Sequence, residues 1–181
     1  MVVADLTNGS IVLRPWRDDD AAWYVDHISD PDIQQFTSEP ADLTVQQAEA
    51  AIRKAMDDPI RLSWAMVQAD TGELLGNAGV DLSNGEVCYW VAAEARGRGV
   101  ATAAVELMTA HAFSVSDRSA LYLWIRPNNV ASARVAVKAS FARAPELDRP
   151  ISADGESVMA TFYKLTRDEW CHRGDRRPNT C

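Results

Sequence analysis

The sequence has no apolar run close to the roughly 18 residues that span a bilayer, and no signal-peptide pattern at its N-terminus. We therefore predict a cytoplasmic protein with no membrane partner. Basic residues are scarce: 18 lysines and arginines against 26 aspartates and glutamates give a net charge of −8. Nucleic acid is not an expected partner, because binding it requires a basic surface. The negative charge suits a cationic substrate better.

Cysteine and histidine are also rare, with three of each in 181 residues. The cysteines (Cys88, Cys171 and Cys181) have no metal-ligand spacing, so we expect neither a metal site nor a disulfide framework. We also see no serine or cysteine nucleophile with a partnered histidine, which disfavours an acyl-enzyme mechanism.

The length allows one well-cored domain, and we predict a single domain over residues 1–170 followed by a polar, disordered tail over 171–181. The first strand is expected at Ile11–Pro15, followed by a helix after three aspartates. The stretch "SDPDIQQFTSEP" carries two prolines and is interpreted as a loop. A helix should begin near Thr44, which has capping-box spacing to Gln47.

From Leu62 onward the pattern changes to strands. Three of them, "LSWAMVQ", "ELLGNAGVDL" and "EVCYWV", form a predicted antiparallel meander with Asn84-Gly85 as a hairpin turn. An amphipathic helix from about Val100 to Val115 follows, and then a buried strand, "ALYLWI". This order predicts a βαβ crossover with parallel strands. A helix after Pro127, a strand "VMATFYKL" and a short terminal helix capped by Thr166 and Glu169 complete the prediction.

The turn "EARGRGV" joins the last meander strand to the amphipathic helix. Gly97 and Gly99 permit positive φ and close approach of a ligand to the backbone. The first N–H groups of the helix have no internal partner, and the helix dipole adds partial positive charge there. The turn is therefore either an anion site, which Arg96 and Arg98 could reinforce, or a plain tight turn. A dinucleotide is disfavoured, because Thr102 replaces the third glycine of that fingerprint and its ribose-binding acid is missing.

Arg96-x-x-Gly99-x-Ala101 resembles the pyrophosphate loop of the GCN5-related N-acetyltransferases (GNAT), which bind acetyl-coenzyme A. The segment "LYLWIRPNNVASARVAVKASF" is similar to the next motif of that family. "LRPWRDDDA" near the start and "YKLTRDEW" near the end resemble its RimJ/RimL-like branch of ribosomal-protein acetyltransferases. The four matches occur in order and extend from about Ile11 to Trp170.

The resemblance implies a GNAT-like α/β fold, with a mixed, mainly antiparallel twisted sheet and helices on both faces. It implies acetyl transfer from acetyl-CoA directly to a primary amine in a ternary complex, with no metal, and a homodimer is common among relatives. The pantetheine arm would lie beside Val91 and bond Asn129, whose alternative role is a helix N-cap. The pyrophosphate would be held by a run of backbone amides, those of Arg96, Gly97, Arg98, Gly99, Val100, Ala101 and Thr102.

Catalytic residues are harder to assign. Glu86 is our candidate base, because it begins the strand that leads to the loop and shares a face with Cys88 and Trp90; Asp81 is a weaker alternative. Ser132 could donate to the leaving thiolate. Ala136 occupies the position where many relatives carry a tyrosine acid, so that acid cannot be transferred to this chain.

Three further features are weighed against structural roles. Tyr163 is a second candidate acid, although an aromatic residue in a strand is more often part of the core. Ser140 replaces the usual glycine before Phe141, which could alter the helix exit. Four aromatic residues of the first third could line the acceptor site or belong to the core: Trp16, Trp23, Tyr24 and Phe36.

The acceptor is not specified by these motifs. A protein α-amine is the first expectation, since its pKa of about 7.8 makes deprotonation at pH 7 cost only about 1 kcal/mol, against roughly 4–5 for a lysine amine. An amino acid, a polyamine and an aminoglycoside-like compound are the alternatives. A non-catalytic module that binds coenzyme A as a sensor or scaffold is the competing function.

Overall fold

The computed structural model describes residues 5–153 and 156–173. The helices are α1 (Ala21–Ile28), α2 (Pro31–Phe36), α3 (Val45–Met56), α4 (Val100–Val115), α5 (Val130–Lys138) and α6 (Arg167–Arg173). The strands are β1 (Leu6–Thr7), β2 (Ile11–Arg14), β3 (Arg61–Gln68), β4 (Leu74–Asp81), β5 (Glu86–Val91), β6 (Ala120–Ile125), β7 (Ala142–Arg143), β8 (Arg149–Ala153) and β9 (Glu156–Thr166). None of the helices in these ranges is long and apolar enough to cross a membrane.

The strands form a mixed, mainly antiparallel sheet in the order β1-β2-β3-β4-β5-β6-β9-β7, and β8 pairs with β9 off this path. Only β5 and β6 run parallel among the described pairs. The helix α4 connects these two strands, which confirms the predicted βαβ crossover.

Helices cover both faces of the sheet, and the alternation of β3 shows how. Trp64 and Met66 are fully buried in the large core that includes α4, α5 and Phe141. Ala65 points the other way, into the smaller core beneath α1 and α3. Successive residues of a strand face opposite sides, so one strand supplies both layers. The fold class predicted from the resemblance is confirmed.

The loop prediction for "SDPDIQQFTSEP" was wrong, because Pro31–Phe36 forms helix α2. The Asp30 side chain caps this helix by accepting hydrogen bonds from the backbone N–H groups of Asp32 and Ile33, at 3.0 and 3.1 Å. Pro31 occupies the first helical position, where its missing N–H costs nothing. The pair Asp30-Pro31 therefore marks the start of a helix in this chain.

The C-terminal helix α6 is capped as predicted, since the Thr166 N–H and hydroxyl both donate to Glu169. It continues to Arg173, three residues into the segment assigned to the tail; the rest of that segment, 174–181, lies outside the described residues. Cys171 is disulfide-bonded, a single bond that the sequence analysis, which considered only a disulfide framework, did not predict.

The two parallel strands diverge, which the sequence analysis did not anticipate. β5 and β6 are in register only where Glu86 faces Tyr122, and the Tyr122 N–H donates to the Gly85 carbonyl at 2.8 Å. Beyond this point the pairing stops, although both strands continue to Val91 and Ile125. The sheet therefore opens between the C-terminal ends of two parallel strands.

Gly76 allows β4 to pack closely against β5, which forms one side of this opening. A Cβ atom at Gly76 of β4 would lie 2.2 Å from the backbone carbonyl oxygen of Trp90 on β5. We expect Gly76→Ala to destabilise the protein by about 3 kcal/mol or more, because a backbone carbonyl cannot rotate away as a side chain can. Urea unfolding measures the change. Gly9→Ala is the matched control, since Gly9 also has a positive φ, +89°, but nothing lies within 4 Å of a Cβ there, so only backbone strain should lower its stability; an equal effect of the two would contradict this account.

Candidate active site

The opening between β5 and β6 forms a cavity of about 780 Å³. Its walls come from Val87–Val91 of β5, the end of β6, the start of α4, the first turns of α5, and α2 with the residues after it. Because the strands are unpaired here, their backbone N–H and C=O groups can bond a ligand that lies between them. The cavity therefore suits an extended, partly polar molecule.

The Gly-Arg turn lies at the open end of this cavity. Gly97 and Gly99 have φ of +75° and +82°, and a Cβ atom at either would meet nothing within 4 Å. The glycines are thus needed for backbone conformation and leave space above the turn. Gly99 is the N-cap of α4 and supplies no side-chain cap. The first amides of this 16-residue helix consequently face the cavity entrance without a capping partner, as an anion site requires.

The arginine side chains of the turn are engaged within the protein. Arg96 donates to the carboxylates of Asp30 and Asp32, at 2.6 and 2.8 Å, and to the Val91 carbonyl at 3.1 Å. Arg98 donates to the Gln68 side chain at 2.7 Å. Neither guanidinium is held toward the amides, so the reinforcement expected from these two cations is not present in this arrangement. Arg96 instead ties α2 to the turn.

Asn129 and Ser132 lie together at the start of α5 and line the cavity. The Asn129 side-chain oxygen accepts the N–H of Ser132 at 3.0 Å, so Asn129 is the helix N-cap, and its amide NH₂ remains the donor for a ligand. The Ser132 hydroxyl is 2.9 Å from the hydroxyl of Tyr89 on β5. Burial raises the pKa of Tyr89 to about 12, so Tyr89 keeps its proton.

Glu86 is not brought into the cavity. It lies at the closed end of β5, opposite Tyr122, and at about 3.3 Å a residue it is about 17 Å along the strand from Val91. The geometry therefore separates the candidate base from the other predicted site residues.

The alternative catalytic residues are also elsewhere. Asp81 bonds the Ser83 N–H at 2.8 Å and pairs with Arg61 at 3.1 Å. Burial works against the charge of Asp81, but these partners outweigh it and lower its pKa. Tyr163 packs against the main core and does not line the cavity. Cys88 is an exposed free thiol in the cavity wall.

A carboxylate that the sequence analysis missed faces the cavity. Glu39 follows α2, and its two oxygens accept hydrogen bonds from the Tyr24 hydroxyl at 2.7 Å and from the Trp90 indole N–H at 3.0 Å. Of the four aromatic residues assigned to the acceptor site or the core, Phe36 lines the cavity and Trp16 is buried in a core cluster. Trp23 and Tyr24 contact Trp90 from behind.

Residues 10–142 match the family model described as the acetyltransferase (GNAT) domain. The chain belongs to the GNAT family of acetyltransferases. It is thus an enzyme, an acetyl-CoA-dependent N-acetyltransferase. A comparison with curated proteins gave no match. In the part of the chain described, no group of three or more His, Cys, Asp or Glu side chains is arranged to hold a metal ion.

Solved structures with the same fold include the acetyltransferases RimJ and RimL. RimJ of Mycobacterium smegmatis, in complex with a CoA disulfide, is 21% identical with a TM-score of 0.76, covering 96% of this chain and 93% of that one. RimL, a ribosomal-protein α-N-acetyltransferase in complex with coenzyme A, is 13% identical with a TM-score of 0.75, covering 92% and 99%. Spermidine N-acetyltransferase of Vibrio cholerae, in complex with CoA and spermine, is 14% identical with a TM-score of 0.74, covering 91% and 99%. At these identities the likeness shows the fold of this GNAT protein and not its acceptor.

Two residues of the cavity had weak signals in the sequence. Period-2 alternation places Tyr89 on the face of β5 opposite Trp90, toward α5, but the neighbouring hydroxyl of Ser132 could not be known. Glu39 lies near the end of the stretch interpreted as a loop, and only the Asp30-Pro31 start signal of α2 would have indicated ordered structure there.

Proposed function

We propose that the enzyme binds acetyl-CoA in the cavity between the diverging ends of β5 and β6 and transfers the acetyl group directly to a primary amine. The observation that carries this proposal is the position of the uncapped start of α4 at the mouth of that opening. The amides of Gly97 to Thr102 hold the pyrophosphate there, as the helix dipole and the N–H groups at the start of α4 favour. The Arg96 N–H is not part of this set, because it donates to the Ala93 carbonyl at 3.3 Å.

The rest of the donor extends into the gap. The pantetheine arm lies beside Val91 and accepts a hydrogen bond from the Asn129 amide. The thioester then reaches the level of Ser132, whose hydroxyl donates to the sulfur as negative charge develops on it. The acceptor approaches from the side of α1 and α2, where Phe36, Glu39 and Trp90 form the wall.

The acceptor that we propose first is a protein α-amine. Its neutral form is already present at pH 7, so attack requires no strong base. This fits a site in which the geometry supports no general base at Glu86 or Asp81. The structural neighbours include an α-N-acetyltransferase of a ribosomal protein and a spermidine N-acetyltransferase, and both of these acceptors carry amines.

Thiol release from acetyl-CoA tests this function. We expect coenzyme A to be released in proportion to an acetylated product 42 Da heavier than the amine when the enzyme meets a panel of peptides, polyamines and aminoglycosides. Acetyl-CoA should raise the melting temperature and NADPH should not. Binding of acetyl-CoA with no turnover of any amine would contradict the proposed acetyl transfer and favour a CoA-binding module.

A further inference from the structure

Glu39 carries a negative charge into the cavity wall without a cationic partner. Its carboxylate accepts hydrogen bonds from Tyr24 and Trp90, which are both neutral donors, and it forms no ion pair with a described lysine, arginine or histidine. Burial and the adjacent carboxylate raise the pKa of Tyr24, so Tyr24 stays a donor. The charge of Glu39 is therefore oriented but not neutralised.

The backbone around Glu39 is fixed as well. The Gln34 side chain donates to the carbonyls of Ile28 and Glu39, at 2.7 and 3.2 Å, and the Glu39 N–H donates to the Thr37 hydroxyl at 3.2 Å. Arg126 reaches the same loop but donates to the Thr37 carbonyl at 2.8 Å. Such a network holds a side chain in one geometry before a ligand arrives.

A half-buried carboxylate with neutral partners has unused bonding capacity. An ionised carboxylate offers about four acceptor sites, and two are occupied here. Taking a charge out of water is costly unless it gains a partner of opposite charge. Phe36 and Trp90 line the same wall, and aromatic rings also attract cations. The wall is therefore complementary to an ammonium group.

We propose that Glu39 is the acceptor-recognition residue and binds the positively charged amine end of the acceptor. This inference rests on the proposed acetyltransferase function and names its substrate class. The acceptors are α-amines, which bind in their ammonium form, and not lysine-type amines. At pH 7 about one in seven α-amines is neutral, against about one in 2,500 lysine amines. A carboxylate that stabilises the ammonium form lowers the neutral fraction of the bound amine further. Enough neutral amine to attack the thioester therefore remains only for α-amines.

The test compares two acceptors with Glu39→Gln. One is the peptide Ala-Ala-Ala-amide, which is largely cationic at pH 7, and the other is trifluoroethylamine, which is neutral. We expect KM for the peptide to rise about 10-fold or more, as for the loss of a hydrogen bond between charged groups. We also expect kcat/KM for the neutral amine and KM for acetyl-CoA to change less than about threefold. Glu73→Gln is the matched control, since Glu73 is an exposed carboxylate outside the cavity.

The outcomes separate the two proposals. Equal losses for both amines, or an unchanged KM for the peptide, would overturn the role of Glu39. Absence of transfer to any amine by the wild-type enzyme would overturn the acetyltransferase function instead. A measurement on the wild type guards against a misfolded variant: the N,N-dimethylated peptide keeps its charge and should compete with the acceptor but not with acetyl-CoA. Failure to compete would also overturn the proposal.

Discussion

Replacing Ala101 by glutamate is expected to leave the protein at least as stable as the wild type while weakening acetyl-CoA binding about 100-fold or more. Ala101 is in the first turn of α4, where a carboxylate favours the helix by about 0.3–1 kcal/mol. The same carboxylate would face the pyrophosphate. Two like charges about 4 Å apart at an effective dielectric constant of 20 repel by about 4 kcal/mol. Stability and binding should therefore change in opposite directions.

Ala101→Gln is the control, because it has nearly the same size and no charge. We expect it to cost much less binding than the glutamate variant. Calorimetric titration with acetyl-CoA gives the affinity, and the melting temperature without ligand gives the stability. If glutamate and glutamine weakened binding equally, the effect would be steric and the amides of this turn would not hold a phosphate. If neither weakened it, the turn would be only structural.

Local signals predicted most elements of this fold. The amphipathic repeat from Val100, the Asn84-Gly85 turn and the capping box at Thr44 all depend on residues within a few positions of one another. Such patterns are complete in the sequence itself. The order strand, helix, buried strand then fixed the parallel pairing of β5 and β6, since such crossovers are nearly always right-handed and compact.

The shape of the site depends on contacts that the sequence does not display. Alternation correctly puts Glu86 on the face of Cys88 and Trp90, but it does not say where along β5 the neighbouring strand departs. The opening begins beyond Glu86, and this alone removes it from the cavity. Glu39 is the opposite case: Tyr24 and Trp90, which orient it, are 15 and 51 positions away.

Arg96 shows why a matching motif does not assign a side-chain role. The motif predicts an anion-binding amide at Arg96, yet the Arg96 N–H donates to the Ala93 carbonyl at 3.3 Å and the guanidinium bonds Asp30 and Asp32 at the start of α2. Because the sequence analysis did not predict α2, it could not predict the ion pairs between Arg96 and the two aspartates at the start of that helix. Arg96 joins α2 to the turn at the start of α4, so one ion-pair network connects two sides of the cavity.

The hydroxyl pair at the base of the cavity leads to the last prediction. Ser132→Ala is expected to lower kcat about 10–100-fold with little change in KM for acetyl-CoA. A hydrogen bond to a charged group contributes about 1.5–3 kcal/mol, and here it would form only as the thiolate leaves. We expect Tyr89 to act through Ser132: with a pKa of about 12 it stays protonated, and its hydroxyl is 2.9 Å from that of Ser132. When Tyr89 is the donor of this pair, the serine proton is left to point toward the sulfur.

A double-mutant cycle distinguishes this arrangement from simple packing. Tyr89→Phe should lower kcat less than Ser132→Ala, and the double variant should be no slower than Ser132→Ala alone, since Tyr89 has no other path to the sulfur. Tyr163→Phe is the control, because it removes a hydroxyl outside the cavity and should leave kcat unchanged. Additive losses would show that Tyr89 contributes independently of Ser132. In that case Tyr89 of β5 would itself contact the sulfur and replace the tyrosine that many relatives carry at the position of Ala136, and Ser132 would not be the group that Tyr89 orients.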